Sequence, residues 1–146
     1  MNLPHDSQRR LIWHGMFLFL LGLLIGFFGG QVTNPRMGLA AHLEGLMNGT
    51  FIVALGAVWL HVELPPRIKT LAYRTVLYGA YANVIVTTFA AIVGASSLSP
   101  ITGAGHSASA WQEALVTVGF GTVGIAMVVS LVMILWGLRP TGVGGS

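Results

Sequence analysis

Four long apolar segments constrain the fold of this chain more than any other feature of its sequence. Each contains about 20 predominantly apolar residues, the length that an α-helix needs to cross the hydrocarbon core of a bilayer. We expect the spanning helices at residues 11–32, 38–60, 71–95 and 114–136. Since lipid offers backbone groups no hydrogen-bond partners, such segments must be helical. The sequence therefore predicts an all-α fold, an integral membrane four-helix bundle that forms a single domain over residues 1–146.

The composition excludes several classes of protein. Only 8% of the residues are charged, whereas a soluble domain carries about 25%. The chain contains no cysteine, which excludes disulfides, iron–sulfur clusters and thiolate ligands. Its net charge of +3 is small and scattered, and no glycine-rich nucleotide-binding motif is present, so we expect no nucleic-acid partner. The lipid bilayer is the predicted environment.

The basic residues indicate how the helices are oriented. Six of the seven Lys and Arg residues fall on one side of the predicted membrane: Arg9, Arg10, Arg67, Lys69, Arg74 and Arg139. Only Arg36 falls on the other side. Because short loops rich in Lys and Arg stay in the cytoplasm, both termini are expected to be cytoplasmic.

The segment TNPRMGLAAHLEGLMNG, residues 33–49, carries the most informative polar side chains. His42, Glu44 and Asn48 fall within seven residues of one predicted spanning helix. A polar or ionisable side chain at membrane depth is costly, so it is rarely present without a partner or a function. Three of them on one helix predict a functional site.

Small residues accompany His42 on the same helix. Ala41, Gly45 and Gly49 form a stripe beside it, because residues four apart share a helix face. Such a stripe allows another helix to approach closely, and it equally leaves room for a flat cofactor with His42 at its edge. Both interpretations remain open. The first helix carries a second stripe, for which we expect packing alone: Gly22, Gly26 and Gly30.

The segment YGAYANVIVTT places further polar groups in the third helix. Asn83 reaches a depth similar to that of Asn48 from the other side of the membrane, so it can pair with Asn48 or with a polar substrate. Tyr78 and Tyr81 lie deeper than the tyrosines that anchor helices at the membrane surface. All three third-helix residues are therefore candidate site residues.

Glu44 and the histidines allow more than one role. Glu44 is either a counter-charge or acid–base group of the site, or a partner for Arg36 near the outer surface. His14 is expected about one turn from the cytoplasmic end of the first helix, whereas His42 lies near the opposite face of the membrane. The two histidines are therefore poor candidates for paired axial ligands of one metal centre.

Three motifs together resemble the hydroxylaminobenzene mutases, small four-helix bacterial membrane enzymes of nitroarene breakdown: WHGMFLFLLGLL, TNPRMGLAAHLEGLMNG and YGAYANV. A more distant resemblance extends to the styrene oxide isomerases, in which the pattern H-x5-N-G recurs on the second helix. The similarity covers about residues 11–139. It implies a multi-pass protein of the bacterial inner (cytoplasmic) membrane.

The resemblance also implies a cofactor and an assembly. The isomerases are trimers that hold haem b at the subunit interface. By this resemblance, His42 is the axial ligand of the iron and Asn48 faces the substrate. A histidine–glycine pair also opens their first helix, at the position of His14, which makes His14 a candidate cofactor contact. We therefore expect haem b and a homo-oligomer, with a trimer favoured.

The chain departs from the isomerases at two positions. Matching Tyr81-Ala82-Asn83 to their W-A-N motif places Gly79 where they carry an aspartate. It places Thr87 where they carry a tyrosine that helps to hold the epoxide. Both groups associated with epoxide opening are missing, which favours the mutase.

The resemblance thus implies an isomerase that converts hydroxylaminobenzene to 2-aminophenol by intramolecular hydroxyl transfer, with haem iron as a Lewis acid. Asn48 and Asn83 would orient this small aromatic substrate, while Tyr78, Tyr81 or Glu44 would move protons. An aryl epoxide isomerase is the nearest alternative. A haem-anchoring electron-transfer subunit would need a second axial histidine at the same depth, and a transporter would need charged residues along a path across the bundle. The sequence supplies neither.

Overall fold

The structure is a computed structural model that describes residues 3–140, with side chains from residue 6 onward. In chain order its elements are α1 (Leu3–Phe28), α2 (Pro35–Val58), a 3-10 turn (Trp59–His61), α3 (Pro66–Val93), α4 (Pro100–Gly103) and α5 (Ala110–Gly137). Residues 3–140 contain no strand. Four of the helices, α1, α2, α3 and α5, are long and apolar enough to cross a membrane. The predicted all-α membrane fold is therefore confirmed.

All four spanning helices begin before the apolar segments that predicted them, and α3 starts at Pro66 and α5 at Ala110. α1 starts at Leu3, because Gln and Arg are good helix formers that continue a helix beyond its apolar part. His14 consequently lies about three turns inside α1, and not one turn as expected from a start at residue 11. α2 starts at Pro35, since proline suits the first position of a helix.

The four long helices form a row in which each runs antiparallel to the one before. α1 packs along α2, α2 along α3, and α3 along α5. The main core is built mostly from the first three of them, with Leu18 of α1, Ile52 of α2 and Val76 of α3 among its fully buried side chains, and α5 contributes Ile134. α5 packs mainly against α3. Large apolar side chains of α1 and α5 therefore remain exposed, and in a bilayer they meet lipid or another protein surface.

Glycines allow α1 and α2 to pack backbone against backbone. Three pairs face each other along this seam: Gly15–Gly49, Gly22–Gly45 and Gly29–Gly38. An added Cβ at Gly15 would lie 2.7 Å from the carbonyl oxygen of Gly49, so the seam has no room for a side chain. Gly30, which was expected to pack, has no neighbour within 4 Å of an added Cβ, because α1 ends at Phe28.

The side chain of Asn34 forms hydrogen bonds that stabilise the end of the bundle at which α2 begins. Its side-chain oxygen accepts hydrogen bonds from the backbone N–H groups of Arg36 and Met37 at 3.1 and 3.2 Å. Its amide nitrogen donates to the carbonyl oxygens of Thr102 and Gly103 at 3.0 and 3.1 Å. Asn34 is fully buried, and all of its side-chain hydrogen-bonding groups are used. It therefore ties α2 to the segment between α3 and α5.

Candidate active site

His42 is held against α1 by backbone atoms. Its Nδ1 lies 2.8 Å from the carbonyl oxygen of Gly22, and its ring packs on Gly26, where an added Cβ would lie 2.6 Å from Nδ1. Since a carbonyl oxygen only accepts, Nδ1 carries the proton and donates it. In the neutral imidazole Nε2 then carries the lone pair, as in histidines that bind a metal through Nε2 while Nδ1 is fixed by a carbonyl.

An open groove lies beside His42 on the outer surface of the α1–α2 pair. Its volume is about 450 Å³, which lies within the range of small-molecule and cofactor sites. Large apolar side chains form part of its wall, namely Leu23, Phe27 and Leu39. His42 is the one titratable residue among its lining residues. The groove therefore offers one nitrogen ligand in a largely apolar setting.

Within the part of the chain that the structure describes, His42 has no companion ligands for a free metal ion. Among the described residues, no three His, Cys, Asp or Glu side chains are grouped so that they could hold a metal. A zinc ion needs three or four protein ligands, whereas a haem brings four equatorial nitrogens and needs only an axial ligand from the protein. A lone histidine beside an apolar groove fits the second kind of cofactor.

Gly45 and Gly49 face α1 and not this groove. Gly45 backs onto Gly22, and an added Cβ at Gly49 would lie 2.6 Å from the backbone nitrogen of Phe19. Of the two interpretations left open for the stripe, helix packing is the one realised, because α1 fills the space that a flat cofactor would have occupied. Four other glycines line the open groove: Gly26, Gly29, Gly30 and Gly38.

Glu44 joins Asn48 and Asn83 in a second polar group, between α2 and α3. The amide nitrogen of Asn48 donates to Oε2 of Glu44 at 3.3 Å, and the amide nitrogen of Asn83 donates to the same oxygen. Glu44 is not paired with Arg36 in the part of the chain that the structure describes. The two asparagines therefore lie at a similar depth, as expected. They are linked by the carboxyl group of Glu44, to which both amides donate.

His14 and Tyr81 form a third polar group, between α1 and α3. Nδ1 of His14 lies 2.9 Å from the hydroxyl of Tyr81. The two rings are arranged edge to face, with Phe17 next to Tyr81. Tyr78 joins none of these groups, because its hydroxyl lies 2.9 Å from that of Thr122 on α5 at an exposed position. The two tyrosines therefore reach in different directions from α3.

The three groups are separate within one chain. Successive residues turn by about 100° around an α-helix, so Glu44 lies about 160° from His42 on α2. His42 accordingly contacts α1 while Glu44 contacts α3. His14 lies about 12 Å along α1 from Gly22, the level at which His42 is bound. His14 and His42 are therefore apart, as expected for residues that do not ligate one metal together.

The chain is similar to named proteins along most of its length. A family model described as styrene oxide isomerase matches residues 7–139. The chain is 42% identical to hydroxylaminobenzene mutase HabB of Ectopseudomonas oleovorans over 132 residues, 90% of this chain and 80% of the relative. It is 38% identical to hydroxylaminobenzene mutase HabA of the same organism over 111 residues, 75% of this chain and 82% of the relative. The chain belongs to the hydroxylaminobenzene mutase family.

This mutase family is thus the one that the three motifs predicted, and the match to the styrene oxide isomerase model confirms the more distant relationship. The mutases are isomerases, which confirms the predicted enzyme class. No solved structure matches this mutase-family chain significantly.

Sequence reasoning missed the residues that build the groove of this mutase-family protein. Gly26 and Gly38 were not assigned to a site, although Gly26 makes room for the His42 ring. A spacing of seven residues in α1, at Gly15, Gly22 and Gly29, was a signal that could have identified the face of α1 that meets α2. Asn34 could have been recognised as a helix cap, because it precedes a proline at the start of a helix.

Proposed function

We propose that this protein is a membrane-bound, haem-dependent mutase that converts hydroxylaminobenzene and related arylhydroxylamines to 2-aminophenols. The observation that carries the reaction is the identity of 42% to a protein named hydroxylaminobenzene mutase over 90% of the chain. The four apolar helices support a site within the membrane. Hydrophobic arenes partition into the bilayer, so a site at that depth meets its substrate there.

Haem b is the proposed cofactor, and His42 is its proposed axial ligand. The fixed Nδ1 of His42, its available Nε2 and the adjoining groove support this assignment. Bound haem would supply a Lewis-acidic iron with an open coordination position. His14 is a weaker candidate for a cofactor contact, because its Nδ1 is engaged by the Tyr81 hydroxyl.

The apolar groove residues would bind the aromatic ring and exclude water. Leu23, Phe27 and Leu39 present carbon surface next to His42. As the N–O bond breaks, positive charge spreads over the nitrogen and the ring, and water would capture that charge at the para carbon. Once lipid or a second copy of the chain covers the groove, the departing hydroxyl would be the only nucleophile, and this favours the ortho product.

A complete site would need two copies of the chain. His42 and Glu44 lie on opposite faces of α2, so one substrate contacts both only where the groove of one copy faces the α2–α3 surface of another. The exposed apolar side chains of α1 and α5 offer area for such contacts, with Phe27 76% and Ile125 68% exposed. A homo-oligomer follows, and the resemblance favours a trimer.

The protein would lie in the inner membrane of a bacterium with both termini in the cytoplasm. The relatives come from the bacterium Ectopseudomonas oleovorans. The concentration of Lys and Arg in the first part of α1, in the first part of α3 and just after α5 supports the orientation.

An aryl epoxide isomerase is the second candidate, because the matching family model is described as styrene oxide isomerase. Two positions count against it. Gly79 has no side chain and packs on Met127 of α5. The hydroxyl of Thr87 donates to the carbonyl oxygen of Asn83 at 2.8 Å, so it is not directed at a ligand.

Product analysis separates the two candidates. The detergent-purified protein is incubated with hydroxylaminobenzene or with styrene oxide in water enriched in oxygen-18. We expect 2-aminophenol without the heavy isotope, because the hydroxyl group is transferred within the molecule. Labelled 2-aminophenol would contradict intramolecular transfer, and turnover of styrene oxide alone would replace the mutase with the isomerase.

A further inference from the structure

The mutase reaction requires a proton to move as well as a hydroxyl group. In the conversion of hydroxylaminobenzene to 2-aminophenol, the N–O bond breaks and a C–O bond forms at the ortho carbon. The C–H bond at that carbon also breaks, and a new N–H bond forms. No electrons are gained or lost overall. A site that excludes water therefore needs a group of its own that takes the ortho proton and returns a proton to nitrogen.

Most of the polar side chains in the spanning helices are already engaged in ways that do not suit this role. The hydroxyl of Tyr78 is paired with Thr122, and that of Tyr81 with His14. The hydroxyl of Thr87 donates to a backbone carbonyl. Asparagine amides do not titrate. Glu44 is the one acidic side chain placed well inside a spanning helix, whereas the other three acidic residues of the chain lie near helix ends or in a connection: Asp6, Glu63 and Glu113.

The hydrogen bonds of Glu44 leave one oxygen available. Both Asn48 and Asn83 donate to Oε2, and no group in the described part of the chain donates to Oε1. The two donors are neutral amides on different helices, so they fix the plane of the carboxyl group and do not provide a cationic partner. A carboxylate without a cationic partner inside a membrane is costly and marks a functional group.

We propose that Glu44 is the proton-transfer group of this enzyme, with Oε1 taking the ortho proton of the substrate and returning it to nitrogen. Asn48 and Asn83 are positioning residues that act through Oε2. This inference rests on the proposed mutase function. It also changes the role expected for the asparagines, whose amides bind Glu44 and not the hydroxylamine.

The test replaces Glu44 by its uncharged isostere and measures turnover with hydroxylaminobenzene that carries deuterium at both ortho carbons. We expect Glu44→Gln to lower kcat by about 10²–10⁴-fold, the range for loss of a general acid–base group. The isotope effect on kcat should rise from near one in the natural protein to well above one, because removal of the ortho proton becomes rate-limiting. Glu44→Asp should restore part of the rate. Glu63→Gln, at an exposed position outside the helices, should leave kcat and the isotope effect unchanged.

A second variant keeps the test valid if Glu44→Gln does not fold. Asn83→Ala removes one of the two donors to Oε2, so we expect a lower kcat with a raised isotope effect and an unchanged KM. A loss of kcat in both variants with no change in the isotope effect would assign Glu44 a structural role and overturn the proposal. So would a fully active Glu44→Gln protein. If the natural protein forms no 2-aminophenol at all, the proposed function itself fails, which is a different result from either.

Discussion

The two faces of α2 are built by different kinds of contact. On the face toward α1, His42 is positioned by backbone atoms: it donates to the carbonyl oxygen of Gly22 and packs on Gly26. On the face toward α3, Glu44 is positioned by side-chain amides from α2 and α3. The position of His42 therefore depends on glycines of α1 that leave room for its ring. The position of the Glu44 carboxyl group depends on the amide donors that bind it. Cofactor binding and proton transfer should therefore respond to different substitutions.

The largest expected effect is that of His42→Ala, which removes the proposed axial ligand from the first face. Haem content should fall to background and turnover should be lost with it, as measured by the absorption spectrum and the rate of 2-aminophenol formation. His61→Ala is the matched control, because His61 is exposed at the end of the 3-10 turn. A His42→Ala protein with a full complement of haem would show that the ligand lies elsewhere.

Asn48→Ala changes the second face and should leave haem content unchanged. A hydrogen bond to a charged group contributes about 1.5–3 kcal/mol, so we expect kcat to fall by about 10- to 100-fold. Thr50→Ala is the control, since the Thr50 hydroxyl is exposed and bonds only to the Leu46 carbonyl oxygen. Loss of haem in Asn48→Ala would mean that the two faces are not independent.

Gly26→Ala places a methyl group against the His42 ring, where the added Cβ would lie 2.6 Å from Nδ1. We expect a loss of about 1–3 kcal/mol in the free energy of unfolding and weaker haem binding, because the imidazole must move. Gly124→Ala meets no atom within 4 Å and should leave both quantities unchanged or slightly improved. Thermal unfolding in detergent and haem titration measure the two effects. Equal stability and equal haem binding in the two variants would contradict the close packing of the His42 ring on Gly26.

The smallest expected effect is that of Tyr81→Phe, which removes the hydrogen bond to His14 without touching either face of α2. One such bond is worth about 0.5–1.5 kcal/mol of stability, and kcat should change little. Tyr78→Phe is the matched control, because it removes a comparable bond at an exposed position. A large loss of kcat in Tyr81→Phe alone would bring the His14–Tyr81 pair into the catalytic site.

The sequence allowed the fold class, the number of spanning helices and the family to be predicted, because apolar length and short motifs are local properties. The start of α1 at Leu3 was missed, since hydropathy reports where lipid begins and not where a helix begins. The site was predicted only in part. Asn83 was expected near Asn48, but their shared acceptor, Glu44, depends on how α2 and α3 are rotated against each other. No local pattern in the chain fixes that rotation.

The glycines illustrate the same limit. Both the packing and the cofactor interpretation of Gly45 and Gly49 were compatible with a stripe of small residues. Only the placement of Gly22 and Phe19 on α1 shows which neighbour fills the space. The open groove is not lined by Gly45 or Gly49; it lies next to Gly26 and Gly38.

The most direct test of the haem-dependent mutase is the absorption spectrum of the detergent-purified protein, produced with ample haem and recorded before and after addition of hydroxylaminobenzene. We expect a Soret band that shifts on addition, together with formation of 2-aminophenol. A protein that forms 2-aminophenol without any Soret band would contradict the assignment of His42 as a haem ligand and the iron chemistry that depends on it.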